Sequence, residues 1–94
     1  MDPDRSRGMA DLLAEADRRR DAQDWPEAAR FYADWLALHP DDAAIAIQLG
    51  HCLKEMGDAA GALAAYRRAA RWRPADADLQ VQIGHALKLS GEVV

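Results

Sequence analysis

The chain repeats itself with a period of 34 residues. The tripeptide Leu-Gly-His at 49–51 returns as Ile-Gly-His at 83–85, and Tyr32 returns as Tyr66. A fixed period of this length is the signature of a solenoid array, in which each unit buries its apolar surface against its neighbours. The repeat therefore predicts a stack of similar small units rather than one layered globular core.

Helix start and stop signals recur with the same period. Asp42 and Asp76 each precede an apolar segment and can accept the free N–H groups of a first helical turn. Pro40 and Pro74 end the preceding helices, because the residue before a proline is driven away from helical geometry. The connections are short, so successive helices must run antiparallel as hairpins. These signals predict an all-α fold of about five helices, at residues 9–22, 25–38, 43–56, 59–72 and 77–90.

The motif positions resemble those of the tetratricopeptide repeat family, whose pattern is W-x₂-L-G-x₂-Y, then A-x₃-F, then P. The middle unit carries this pattern at Leu49, Gly50, Leu53, Ala62, Tyr66 and Pro74. The resemblance implies a right-handed superhelical stack of helix hairpins, an α-solenoid. Its units are a degenerate one at 9–42, a full one at 43–76 and a truncated one at 77–94. Residues 1–8 are expected to form a flexible segment before the first unit.

The same pattern predicts how each hairpin packs. Gly50 and Gly84 lack a Cβ atom, so we expect both to let the second helix of their hairpin approach closely. Tyr32 and Tyr66 are expected to fill the space between successive hairpins. The tyrosines should therefore be the largest single contributors to the core.

Composition argues against several classes of partner. The net charge of −4 is unlike that of a nucleic-acid binder, which is usually basic. The apolar runs are far shorter than a membrane span requires. Cys52 is the single cysteine, so no intramolecular disulfide can form, and this suits a reducing compartment. We expect a cytoplasmic protein with no nucleic-acid partner and no membrane partner.

Catalytic and metal-binding patterns are missing from the sequence. There is no Gly-rich phosphate loop, and neither Ser6 nor Ser90 sits in a nucleophile motif. His51 and His85 fall on neighbouring units, but two histidines without a carboxylate or thiolate nearby do not make a zinc site. We therefore expect no enzymatic activity, no metal and no cofactor.

The first helices of the hairpins carry the candidate binding residues. Members of the family generally bind extended peptides in the concave groove that these helices line. The repeat aligns polar side chains there in a ladder, at Arg20, Gln48, His51, Lys54, Glu55, Gln82, His85 and Lys88. Lys54 and Lys88 could grip a carboxylate, which predicts a protein or peptide partner. The alternative is that these are ordinary solvated residues, repeated because the unit was duplicated.

The last unit offers a second hypothesis, assembly with another copy. Val93 and Val94 stand where a sixth helix should begin, and that helix would cover Ile83 and Leu87. About two and a half units fall below the roughly three that an independent array needs. Either the chain is a fragment of a longer array, or a homodimer closes the open edge. A third possibility is the N-terminal regulatory part of a larger enzyme, since the repeats resemble arrays attached to bacterial glycosyltransferases of the protein O-GlcNAc transferase type.

Overall fold

Five helices account for the fold. The structure is a computed structural model that describes residues 3–91, with side chains from Asp11 onward. The helices are α1 (Pro3–Asp21), α2 (Trp25–Leu38), α3 (Ala43–Glu55), α4 (Ala59–Ala70) and α5 (Ala77–Leu89). Each packs against the next in the chain, as a stack of hairpins requires. The all-α prediction is confirmed.

The helix ends are fixed by local residues. Three aspartates, at the N-caps of α3, α4 and α5, each accept a hydrogen bond from the backbone N–H three positions later, namely Asp42, Asp58 and Asp76. Gly57 and Gly91 follow α3 and α5 with φ of 83° and 79°, the left-handed geometry that glycine adopts freely. Gln23 holds the same repeat position after α1 at φ 61°. The repeat thus fixes where helices stop as well as where they start.

The first helix is longer than the sequence predicts. Its backbone is helical from Pro3, whereas the expected start was near residue 9, after a flexible segment 1–8. Proline is well suited to a first helical turn, and Gly8 costs a helix only about 1 kcal/mol relative to alanine. Nothing between them stops the helix, so the boundary is corrected to Pro3. Met1 and Asp2 lie outside the described residues.

Two clusters of buried side chains run along the stack. Tyr32 belongs to the first cluster and Tyr66 to the second, and both rings are fully buried. The same three residues of α3 pack against both clusters, namely Ile45, Leu49 and Leu53. The middle helix therefore joins the units into one core.

Candidate functional site

In each of the two complete hairpins, a tyrosine hydroxyl of the second helix hydrogen-bonds to a side chain of the first helix. Tyr32 Oη donates to Asp17 Oδ1 at 2.6 Å, and Tyr66 Oη lies 2.7 Å from His51 Nδ1. Asp17 and His51 occupy the same repeat position on α1 and α3. His51, predicted to face a ligand, is thus held inside its own hairpin.

The cations of the predicted ladder bind glutamines of the next unit. Arg20 Nη1 donates to Gln48 Oε1 at 3.3 Å, and Lys54 Nζ donates to Gln82 Oε1 at 3.2 Å. The two bonds are equivalent under the 34-residue repeat. We call the side of α1, α3 and α5 that carries Arg20, Lys54 and Lys88 the ladder face. The predicted residues do lie close together, but their polar groups are largely used in hydrogen bonds to one another.

Arg20 is the most heavily engaged of these cations. Its guanidinium also donates to Tyr32 Oη at 3.3 Å and pairs with Asp17 and Asp21 at 3.5 Å and 3.1 Å. A guanidinium has five N–H donors, and most of them are used here. The first unit therefore presents a closed polar network rather than a free cation.

Burial controls the ionisation of the Tyr66–His51 pair. Desolvation lowers the pKa of His51 below its ordinary value, Lys54 lowers it further, and Glu55 opposes the shift. Desolvation also raises the pKa of Tyr66 to about 12. At neutral pH the bond therefore joins a neutral imidazole to a neutral phenol.

Acid should destabilise the chain through His51. Its folded pKa lies below the ordinary value of 6.5, so the unfolded chain binds more protons just below that pH. The stabilisation is complete above pH 6.5 and is lost as the pH falls through the folded pKa. We expect the thermal midpoint to fall more steeply from about pH 7 to 5 in the wild type than in His51→Gln. Equal slopes in the two proteins would contradict the assignment to His51.

An open cleft of about 430 Å³ lies at the α5 end of the ladder face. It is lined by Lys54, His85, Lys88 and Leu89. The side chains of His85 and Lys88 are exposed and make no hydrogen bond or ion pair with another described residue. Glu55, the neighbour of Lys54 in the sequence, is exposed but does not line the cleft. His85 and Lys88, two predicted site residues with no bond to another described residue, therefore lie together at this end.

Two residues of the predicted oligomer edge pack into the core of the chain itself. Ile83 and Leu87 are half-buried and pack against the second cluster, so they are less available than expected. The large apolar side chains of α5 that are exposed are instead Val81 and Leu89, at 53% and 66%, and the predicted edge included neither. Val81 holds the repeat position of Ile47, which is half-buried.

Gly84 does not play the role expected of it. A Cβ atom built there would meet nothing within 4 Å, whereas one built on Gly50 would lie 2.5 Å from Tyr66 Cε1. The close approach is confirmed for Gly50 alone, because the described residues include no helix after α5 that could complete its hairpin. Val93 and Val94, the rest of the predicted edge, lie outside the described residues.

Comparison with models of known protein families identifies a match. A family model described as tetratricopeptide repeat matches residues 19–82, which run from the last turn of α1 to the middle of α5. No curated protein sequence matches the chain. No helix of the described residues is long and apolar enough to cross a membrane. Across the same residues, no group of three or more His, Cys, Asp or Glu side chains could hold a metal ion.

Proposed function

Because the chain belongs to the tetratricopeptide repeat family, we propose that its ladder face binds an acidic segment of a protein partner. Repeats of this family are non-catalytic modules that generally mediate protein–protein interaction. For this chain, the binding surface would be the ladder face and the ligand would be acidic.

The cleft at the α5 end supports this proposal most directly. Two ammonium groups and an imidazole surround one opening, and carboxylates are their natural partners. Lys54 is held by Gln82, so its ammonium group loses little freedom when a ligand arrives. The exposed Leu89 side chain adds an apolar contact at the rim. A peptide that alternates acidic and apolar side chains fits this combination.

The rest of the ladder serves the fold first. Gln48 and His51 have hydrogen-bond partners inside the stack, and most N–H donors of Arg20 are already used. A ligand would have to break those bonds to use the same groups, which costs about as much as it gains. Lys54 remains available to a ligand, because Gln82 takes only one of the three N–H donors of its ammonium group. We therefore restrict the proposed binding residues to Lys54, His85, Lys88 and Leu89.

Reversing the charge of Lys88 should weaken peptide binding about tenfold, since one ion pair becomes a repulsion. The probe is a fluorescently labelled octapeptide of alternating Glu and Leu, titrated by anisotropy at low salt. Lys88 makes no bond with another described residue, so Lys88→Glu should lower the thermal midpoint only slightly, through the changed charge in the last turn of α5. Added salt should weaken the wild-type complex as well, because it screens exposed charges.

The matched control is Arg67→Glu, an equal charge change elsewhere. Arg67 is exposed on α4 and lines a different cleft, beside Trp72. This variant should bind the peptide within about twofold of the wild type. If both reversals weaken binding equally, net charge governs the interaction and the assignment to the ladder face fails.

The remaining predictions from sequence stand as parts of this proposal. The net charge of −4 supports a protein partner rather than a nucleic acid, and the single cysteine supports a cytoplasmic location. Attachment to a larger enzyme would place the ladder face beside that enzyme as a recognition surface.

A further inference from the structure

The outer face of α5 repeats a tyrosine-binding socket that is filled on α3. On α3, a Cβ on Gly50 would lie 2.5–2.9 Å from three ring atoms of Tyr66, so only glycine leaves room for that ring. The hydroxyl of Tyr66 then reaches His51 Nδ1 at 2.7 Å. We call Gly50 with His51 the filled socket, and Gly84 with His85, at the same repeat positions, the open socket.

Exposure shows that the open socket has no cover among the described residues. Gly84 and His85 are both exposed, and the space above Gly84 is empty to 4 Å. Ala77 is exposed too, although its equivalent Ala43 is buried. Two repeat positions that are buried on α3, those of Ala43 and Gly50, are therefore exposed on α5.

A second feature marks where an incoming helix would end. Pro40 has no N–H, so it leaves the carbonyl of Leu36 without its helical donor, and Arg68 of α4 supplies one at 3.2 Å. Pro74 leaves the carbonyl of Ala70 in the same position. No described side chain donates to it. A cation there would also meet the negative end of the α4 dipole.

We propose that the outer face of α5 is a docking site for a helix of a partner protein that carries Ala-x₃-Tyr-x-Arg. The tyrosine fills the open socket and bonds His85, and the arginine caps the carbonyl of Ala70. This is recognition of an amphipathic helix by a groove, and it continues the packing already present between α3 and α4. A folded second copy is a poor occupant, because Tyr32 and Tyr66 are fully buried in their own hairpins.

Gln80 of α5 indicates which side chains the partner helix should carry. Gln80 is exposed on α5 where α3 has the buried Ala46. Covering a glutamine without a hydrogen-bond partner is costly, so a helix with a polar side chain opposite Gln80 should bind more tightly than the segment 58–73 itself. An all-apolar helix face would therefore dock less well than one with a single polar group.

The probe is a labelled peptide with the sequence of residues 58–73, the segment that fills the socket on α3. We expect saturable binding to the intact chain, measured by fluorescence anisotropy. Gly84→Ala should weaken it by about tenfold or more, because the new methyl occupies the space of the ring. The same substitution should not lower the thermal midpoint, since a Cβ at Gly84 meets nothing.

Two altered peptides serve as controls. Replacing the tyrosine by phenylalanine removes the hydroxyl that reaches His85 and should weaken binding about fivefold. Exchanging Ala65 with Tyr66 keeps the composition but moves the ring to another side of the helix, and it should abolish saturable binding. Equal binding to the wild type and to Gly84→Ala would overturn the proposal. So would light scattering that shows a dimer of the wild type which Gly84→Ala dissociates, because the occupant would then be a second copy.

Discussion

A Tyr66→Ala chain should lose about 3–5 kcal/mol of unfolding free energy, a large part of the 5–15 kcal/mol typical of a small domain. The ring of Tyr66 is fully buried among α3, α4 and α5 residues, and truncation leaves a cavity that the stack cannot close. The loss combines the transfer of the ring to water with the cost of that cavity. Urea unfolding followed by circular dichroism measures it directly.

Tyr66→Phe separates the ring from the hydroxyl. The variant keeps the packed ring and loses only the hydrogen bond to His51, so we expect a loss of about 1 kcal/mol. The alanine variant should therefore be destabilised several times more than the phenylalanine variant. Nearly equal losses would mean that the hydroxyl bond, rather than the buried ring, carries the stability of the middle unit.

The sequence predicts the helices well because their ends are local. The caps at Asp42, Asp58 and Asp76 need only the residues beside them, and the 34-residue period shows which positions are equivalent. The start of α1 was predicted less well. Without a cap or a second proline before residue 9, nothing local separates a helical segment from an irregular one.

The sequence predicted which residues lie on the ladder face, but it did not predict the hydrogen bonds that they form with one another. Arg20 and Lys54 do face the glutamines of the next unit, as alignment in a ladder requires. Whether such groups bond one another or remain free depends on the distance between neighbouring hairpins, which no residue pattern specifies. The clue was available in the spacing: Asp17 precedes Tyr32 by the same number of residues as His51 precedes Tyr66. An acceptor that recurs opposite a tyrosine indicates an internal bond rather than a ligand.

Gly50 of the filled socket and Gly84 of the open socket allow the effect of side-chain packing on stability to be measured apart from that of helix propensity. By sequence they are equivalent, since Gly50 and Gly84 hold the same place in their units. A helix favours alanine over glycine at either position by about 0.5–1 kcal/mol. Their surroundings differ, because Gly50 faces the ring of Tyr66 and Gly84 faces open space. The same substitution should therefore have effects of opposite sign.

Gly50→Ala should destabilise the chain by about 1–3 kcal/mol, because its methyl would overlap a ring that is packed on every side. Gly84→Ala should stabilise it by about 0.5–1 kcal/mol, since only the helix propensity changes. The double variant should lie near the sum of the two effects, as the Gly50 and Gly84 environments share no packed ring. Denaturant midpoints of the four chains measure all three quantities. A destabilising Gly84→Ala would show that another part of the chain already covers α5, and both the open socket and its proposed partner would then be excluded.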